Sequence, residues 1–99
     1  MSISRSELDR LAEINKQLSH LETAAEKDEL ADELEDEKAA LLSNLIEDLG
    51  RLIDPLERRV MLLRYGKGLL WKEVAAAIGY SQTAAFAIHQ SALRKLLER

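Results

Sequence analysis

Apolar residues recur with helical spacing from Ser4 to Leu49, and neither glycine nor proline interrupts them. Ser4 and Glu7 stand at the spacing of a capping box, which predicts a helix beginning near Arg5. Leu11, Leu18 and Ala25 repeat every seven residues, and so do Ile14 and Leu21. This is a short coiled-coil-like seam, widened by Leu8 and bordered by the polar Asn15. The seam fades over residues 23–27, where Thr23 and Glu26 form a second capping-box pattern. A new stripe starts at Leu30 and Leu34 and continues through Leu41, Leu42, Leu45, Ile46, Leu49, Leu52 and Ile53. Two readings fit this pattern. One is a helical hairpin bent near residues 22–27. The other is a single helix of about 45 residues, near 70 Å long, whose stripe would need a partner chain.

The second half is punctuated differently. Gly50 is expected to bend the chain rather than stop the helix, because Leu49, Leu52 and Ile53 keep helical spacing. Asp54-Pro55 is a firm break, since proline disfavours αR in the residue before it and suits the first turn of a new helix. Leu56, Val60, Leu62 and Leu63 predict an amphipathic helix ending at Tyr65-Gly66. Gly66 and Gly68 flank Lys67 in a tight linker. Val74, Ala75 and Ile78 then line one face of a helix that must end at Gly79, where glycine takes φ > 0 at least cost. Ser81 can cap a second helix over Gln82–Leu97, with Ala85, Ile88, Ala92, Leu93 and Leu96 facing inward. Helix, glycine turn and capped helix together spell a helix-turn-helix, a unit that often lays its second helix in the DNA major groove.

The expected fold is therefore all-α. Residues 1–53 read as an acidic helical oligomerisation segment and residues 54–99 as a helix-turn-helix domain. No cysteine is present, which excludes disulfides and thiolate metal sites and suits a cytoplasmic location. No stretch approaches the roughly 20 apolar residues that span a bilayer, and the first ten residues lack the apolar core of a signal peptide. The net charge of −4 hides a division: residues 1–50 carry −9 and residues 51–99 carry +5. An acidic whole argues against nucleic acid, whereas the basic second half allows it.

Eight carboxylates crowd residues 26–37, with Asp28, Asp32 and Asp36 on one helical face. Like charges at that spacing repel and lack the glycine-bearing loop of an EF-hand, so a solvated face is expected, and no metal site. No cofactor and no catalytic residue is expected either. His20 and His89 are far apart, and there is no phosphate-binding glycine loop, no His-x-x-x-His pair and no cysteine nucleophile. Trp71 reads as a core anchor beside Leu69 and Leu70, His89 as a packed core histidine, and Tyr80 as packing against the turn. Phe86 fits either a buried wedge or an exposed contact.

From Ile53 onward the chain resembles region 4 of bacterial sigma factors. The resemblance rests on Asp54-Pro55-Leu56-Glu57-Arg58-Arg59-Val60 and Leu63-Arg64-Tyr65-Gly66-Lys67-Gly68. It continues through Glu73-Val74-Ala75, Ile78-Gly79, Ser81 and Ala92-Leu93-Arg94-Lys95-Leu96. It is closest to sigma-like phage regulators of the ArpU/RinA type, through Trp71, Gly79-Tyr80-Ser81, Ile88-His89 and Ala92-Leu93. The resemblance implies a phage- or prophage-derived transcription regulator that binds double-stranded DNA. It implies base contacts from Gln82, Thr83, Phe86, Ala87 and Gln90. Phosphate contacts would come from Lys67, Lys72, Ser81, Arg94 and Lys95, with Arg58, Arg59 and Arg64 as further candidates.

One departure matters: the second motif helix has no basic residue before Arg94. Since most affinity for DNA comes from phosphate neutralisation, a homodimer through the N-terminal helices is expected to supply the missing charge, with RNA polymerase as a further expected partner. Two alternatives stand beside this reading. One is a small terminase-like DNA-packaging subunit. The other is a helix-turn-helix interaction module without DNA binding.

Overall fold

The computed structural model describes residues 3–21 and 27–97, with side chains of the second helix described from Leu30 onward. All regular structure among these residues is helical. The order is α1 (Arg5–Leu21), α2 (Lys27–Leu49), α3 (Pro55–Met61), a π-helical turn (Leu62–Gly66), α4 (Trp71–Ile78) and α5 (Gln82–Leu97). No described helix is long and apolar enough to cross a membrane.

Helix α1 begins as its capping box predicts. Ser4 N donates to Glu7 Oε1 at 2.9 Å, and Glu7 N donates back to Ser4 Oγ at 3.2 Å. Helices α1 and α2 pack antiparallel. Residues early in α1 meet residues late in α2: Asn44 Nδ2 donates to Glu7 at 3.3 Å, and Arg10 grips Glu37 bidentately at 2.5 and 2.7 Å. Ile3 N donates to Asp48. The hairpin alternative is thus the one adopted, and the single 45-residue helix is not. The second capping-box pattern, Thr23 with Glu26, and the seam residue Ala25 lie outside the described residues.

Antiparallel packing changes what the heptad seam does. Leu8, Leu11 and Ile14 are fully buried within one chain, so these seam residues are spent on the protein's own fold. Ile3, Leu8 and Leu11 join Leu45 and Leu49 of α2, Leu52 just beyond it, Met61 and Tyr65, and Ala92, Leu93 and Leu96 of α5 in one cluster. That cluster draws on both sides of the Ile53–Asp54 junction. A second cluster holds Val60, Leu63, Val74, Ala75 and Ala85, edged by Leu69, Trp71, Ile78 and Ile88. Helix α5 belongs to both clusters, its first half to the second and its last half to the first.

Three expectations about the middle of the chain are corrected. Helix α2 stops at Leu49, and Gly50 lies in a turn closed by Arg51 N to Asp48 O at 2.9 Å. Ile53 is 93% exposed, and Ile46 and Leu30 are about half exposed. Their helical spacing continues the stripe, but the chain leaves the α2 axis after Leu49, so Ile53 has no core to face. Finally, α3 does not run on as a regular α-helix to Gly66. Its last turn is a π turn, in which Lys67 N donates to Leu62 O at 3.1 Å. The extra residue of a π turn lets Val60 and Leu63 serve one cluster while Met61 and Tyr65 serve the other, and it leaves Leu62 partly exposed. The start of α3 matches its pattern: Pro55 opens it, and Asp54 Oδ1 accepts from Leu56 N at 2.9 Å.

Candidate nucleic-acid interface

Helix α4 starts without a side-chain cap on Leu70. Instead the Glu73 carboxylate accepts from Leu70 N at 2.8 Å, placing a negative charge at the positive end of the helix. The helix ends at Gly79, which sits in the left-handed region at φ 76° and ψ 28°. Ala75 O accepts from both Gly79 N (2.9 Å) and Tyr80 N (3.0 Å), which satisfies a carbonyl the helix end would otherwise leave open. Ser81 Oγ accepts from Ala84 N at 3.1 Å and so caps α5. The three-residue turn therefore aims α5 by local chemistry alone. Burial of Val74 and Ala75 against Ala85 holds the two helices together.

The residues singled out as base-contacting are all exposed: Gln82, Thr83, Phe86, Ala87 and Gln90. They occupy one side of α5, flanking the buried Ala85, His89, Ala92, Leu93 and Leu96. Arg94 extends the same side. Phe86 is neither wedge nor free side chain. It is 45% exposed and meets the Trp71 ring edge-on, with centroids 5.3 Å apart. Tyr80 is 52% exposed rather than packed against the turn.

The basic candidates divide. Lys67, Lys72 and Arg94 are exposed, and their side chains make no hydrogen bond or ion pair with described residues. Lys95 is engaged: its Nζ lies 2.9 and 3.1 Å from the two carboxylate oxygens of Glu57. Glu57 is buried and also accepts from Ser91 Oγ at 2.6 Å. Lys95 lies beside Ser91 on the α3-facing flank of α5, away from the row that holds Gln90 and Arg94.

Four arginines of the second half, unlike Arg94, close helix ends and loops. Arg58 donates to Leu52 O and Ile53 O, and Arg59 donates to Ala77 O at 3.3 Å. Arg51 donates to Leu96 O at 2.9 Å. Arg64 donates to Leu69 O at 2.7 Å and lies 4.7 Å from the Trp71 ring centroid, a cation–π contact. Each guanidinium satisfies a carbonyl with no partner in regular structure. Sequence reasoning missed this use of arginine, because nothing local marks which carbonyl will come near.

Beneath the face sits a small aromatic cluster. His89 packs against Trp71 (4.8 Å between centroids), Tyr65 and Phe86 (5.7 Å each). It is 6% exposed, as its core assignment requires. Burial, helped by the nearby positive charges of Arg64 and Arg5, pushes its pKa down to about 4. Tyr65, its hydrogen-bond partner, has its phenol pKa raised by burial. The imidazole is therefore neutral at pH 7 and offers no charge to a phosphate. The residues put forward as an acidic face, Asp32 and Asp36, are exposed on α2; the side chain of Asp28 lies outside the described residues.

The chain matches no protein-family model, no curated protein and no solved structure.

Proposed function

We propose that this protein is a DNA-binding transcription regulator of sigma-region-4-like type. Helices α4 and α5 act as its helix-turn-helix, and α5 is the helix that enters the major groove. One observation carries the reading: an exposed row of Gln82, Thr83, Phe86, Ala87 and Gln90 on a helix aimed by a glycine turn, with uncommitted cations at Lys67, Lys72 and Arg94. Gln82 and Gln90 can pair with adenine edges, and Phe86 can contact a thymine methyl. Lys67, Lys72 and Arg94 supply phosphate contacts, while Ser81 Oγ already accepts from its own helix. Lys95 is held by Glu57 and contributes little.

Three phosphate contacts give weak binding with a shallow salt slope, about −2.7 in log K against log salt at roughly −0.9 per phosphate. A second copy would double that charge. Because Leu8, Leu11 and Ile14 are covered within the chain, such a copy must use other surfaces than that seam. The test is titration of labelled random-sequence duplex DNA at several salt concentrations, followed by enrichment of bound sequences from a random library. Affinity that falls with salt and weakens with Lys72→Glu supports the reading. Affinity flat across salt, or unchanged by Lys72→Glu, overturns it.

A second reading has its own support. Leu70 (57% exposed), Tyr80 and Phe86 put apolar surface on the same motif, and the row on α5 is neutral until Arg94. A helix-turn-helix that docks on a protein, RNA polymerase included, would present such a surface. The same titration distinguishes the two, since only the DNA reading demands a salt slope.

A further inference from the structure

Helix α1 carries one polar residue at the edge of its apolar seam, Asn15, and the fold puts it to specific use. Asn15 Nδ2 donates to Tyr65 O at 2.8 Å. This carbonyl lies at the end of the π turn. The amide five residues on, Leu70 N, is taken by Glu73, so Asn15 satisfies an acceptor the helix end leaves open. Two residues past Gly66 the chain passes against Asn15 again. Gly68 has φ +69°, and a Cβ built on it would lie 3.0 Å from Asn15 Cβ and 3.1 Å from its Cγ. Only glycine combines that conformation with that closeness. The linker is fixed on its other side as well, by Leu69 N to Leu63 O at 3.2 Å and by Arg64 to Leu69 O.

We infer that Asn15 is a positioning residue: it seats the 66–70 linker on α1, and thereby sets where Lys67 points and where α4 begins. The hairpin then governs the α4–α5 face from a residue that is not part of it. The part of this inference that concerns DNA rests on the reading proposed above; the part that concerns the linker does not. The joint is accessible, because a cleft of about 520 Å³ opens beside it, bordered by Asn15, Gly68, Arg64 and Leu70 with Asp9 and Glu13 of α1.

The chain's single tryptophan, Trp71, is the first residue of α4 and reports on the joint directly. Asn15→Ala in the full chain is measured by amide exchange, Trp71 emission and titration of random-sequence duplex DNA. Gly68→Ala, which perturbs the joint from the linker side, is measured in parallel and serves if Asn15→Ala does not fold. The expected result is faster exchange at Lys67 and Leu69, unchanged exchange at Leu45 and Leu49 in α2, and a shift in Trp71 emission. DNA affinity falls roughly 2- to 30-fold, the range for residues coupled to a site without touching it.

Uniformly faster exchange across the chain would mean a merely structural role and overturn the inference, as would unchanged exchange at Lys67 and Leu69. Local loosening with unchanged DNA affinity would overturn the control of the face. Local loosening in a protein whose wild type binds no DNA would leave the joint standing and overturn the DNA reading instead.

Discussion

The phenolic oxygen of Tyr65 lies 2.8 Å from Nε2 of His89, and the other imidazole nitrogen, Nδ1, is buried with no hydrogen-bond partner among the described residues. Either neutral tautomer leaves Nδ1 unpaired: as a lone pair if Nε2 carries the proton, as an N–H if it does not. Adding a second proton would bury a cation among Tyr65, Trp71 and Phe86. The unfolded chain binds that proton near pH 6.5, the folded chain only near pH 4. Between these values the unfolded state holds more protons, so stability rises with pH, is complete above about 6.5 and is lost on descending to 4. The shift corresponds to about 3 kcal/mol at 1.36 kcal/mol per pH unit. Urea unfolding of wild type and His89→Gln from pH 4 to 7 checks this: the steep dependence should belong to the wild type and be largely absent from the variant.

Gly79 separates conformational cost from steric cost. A Cβ at this position would have no atom within 4 Å, yet the residue holds φ +76°. Gly79→Ala should therefore destabilise by about 1–2 kcal/mol through backbone conformation alone. Gly79→Asn should cost less, because asparagine tolerates the left-handed region. Equilibrium unfolding of the two variants would contradict this account if alanine proved as well tolerated as asparagine.

These two positions mark the range of what the sequence makes legible. Gly79 and Ser81 act on groups within five residues of themselves, so their roles at the α4 end and the α5 start follow from residue type and spacing. The buried row Ala85, Ala92, Leu93 and Leu96 follows from period. The partner of a stripe does not. Leu8, Leu11 and Ile14 have the same pattern whether another chain buries them or, as here, their own does. Ile53 keeps the right spacing but lies past the point where the backbone turns away. Arg58, Arg59 and Arg64 look like a basic surface in sequence, whereas their carbonyl partners are fixed by helix packing. For the candidate face, periodicity suffices to put Gln82 and Gln90 outside, whereas Phe86 fits either side by spacing and is exposed only in the fold. The choice between a free Lys72 and a committed Lys95 needs the position of Glu57 on α3.

That choice gives a paired prediction. Removing Lys95 leaves the buried Glu57 carboxylate with Ser91 as its remaining partner. Lys95→Met should cost stability by about 1–2 kcal/mol, less than a fully buried pair because the lysine is half exposed. Lys72→Met removes no hydrogen bond or ion pair among the described residues and should stay within about 0.5 kcal/mol of wild type. Under the proposed function the order reverses for DNA: Lys72→Met lowers the salt slope by nearly one unit, and Lys95→Met leaves it unchanged. Thermal unfolding and salt titration of both variants read the two orders.

The row on α5 can be tested residue by residue. Phe86 is half exposed and contributes one edge of the Trp71 contact, so Phe86→Ala should cost about 1–2 kcal/mol, less than the 3–5 typical of a core phenylalanine. If Phe86 reads a thymine methyl, the variant should also bind enriched sequences less selectively while keeping its salt slope, since base contacts specify and phosphate contacts position. A variant that lost the slope with the selectivity would place Phe86 in folding the face rather than in reading DNA.

The shared cluster predicts how the chain unfolds. Leu11 of α1 is fully buried with Leu45 and Leu49 of α2, Met61 and Tyr65 before the linker, and Leu93 and Leu96 of α5. Leu11→Ala removes buried methyl groups from the junction of all these elements and should destabilise by about 2–5 kcal/mol. Because α5 also belongs to the cluster that holds Val74 and Ala85, the loss should be felt at Trp71 as well as in the hairpin. Trp71 fluorescence and far-ultraviolet circular dichroism should give coincident urea transitions in wild type and in Leu11→Ala, the latter shifted to lower urea, as two-state unfolding requires. If fluorescence stayed at the wild-type midpoint while dichroism moved, the hairpin would be unfolding separately, and α5 would not be the strut that joins the two clusters.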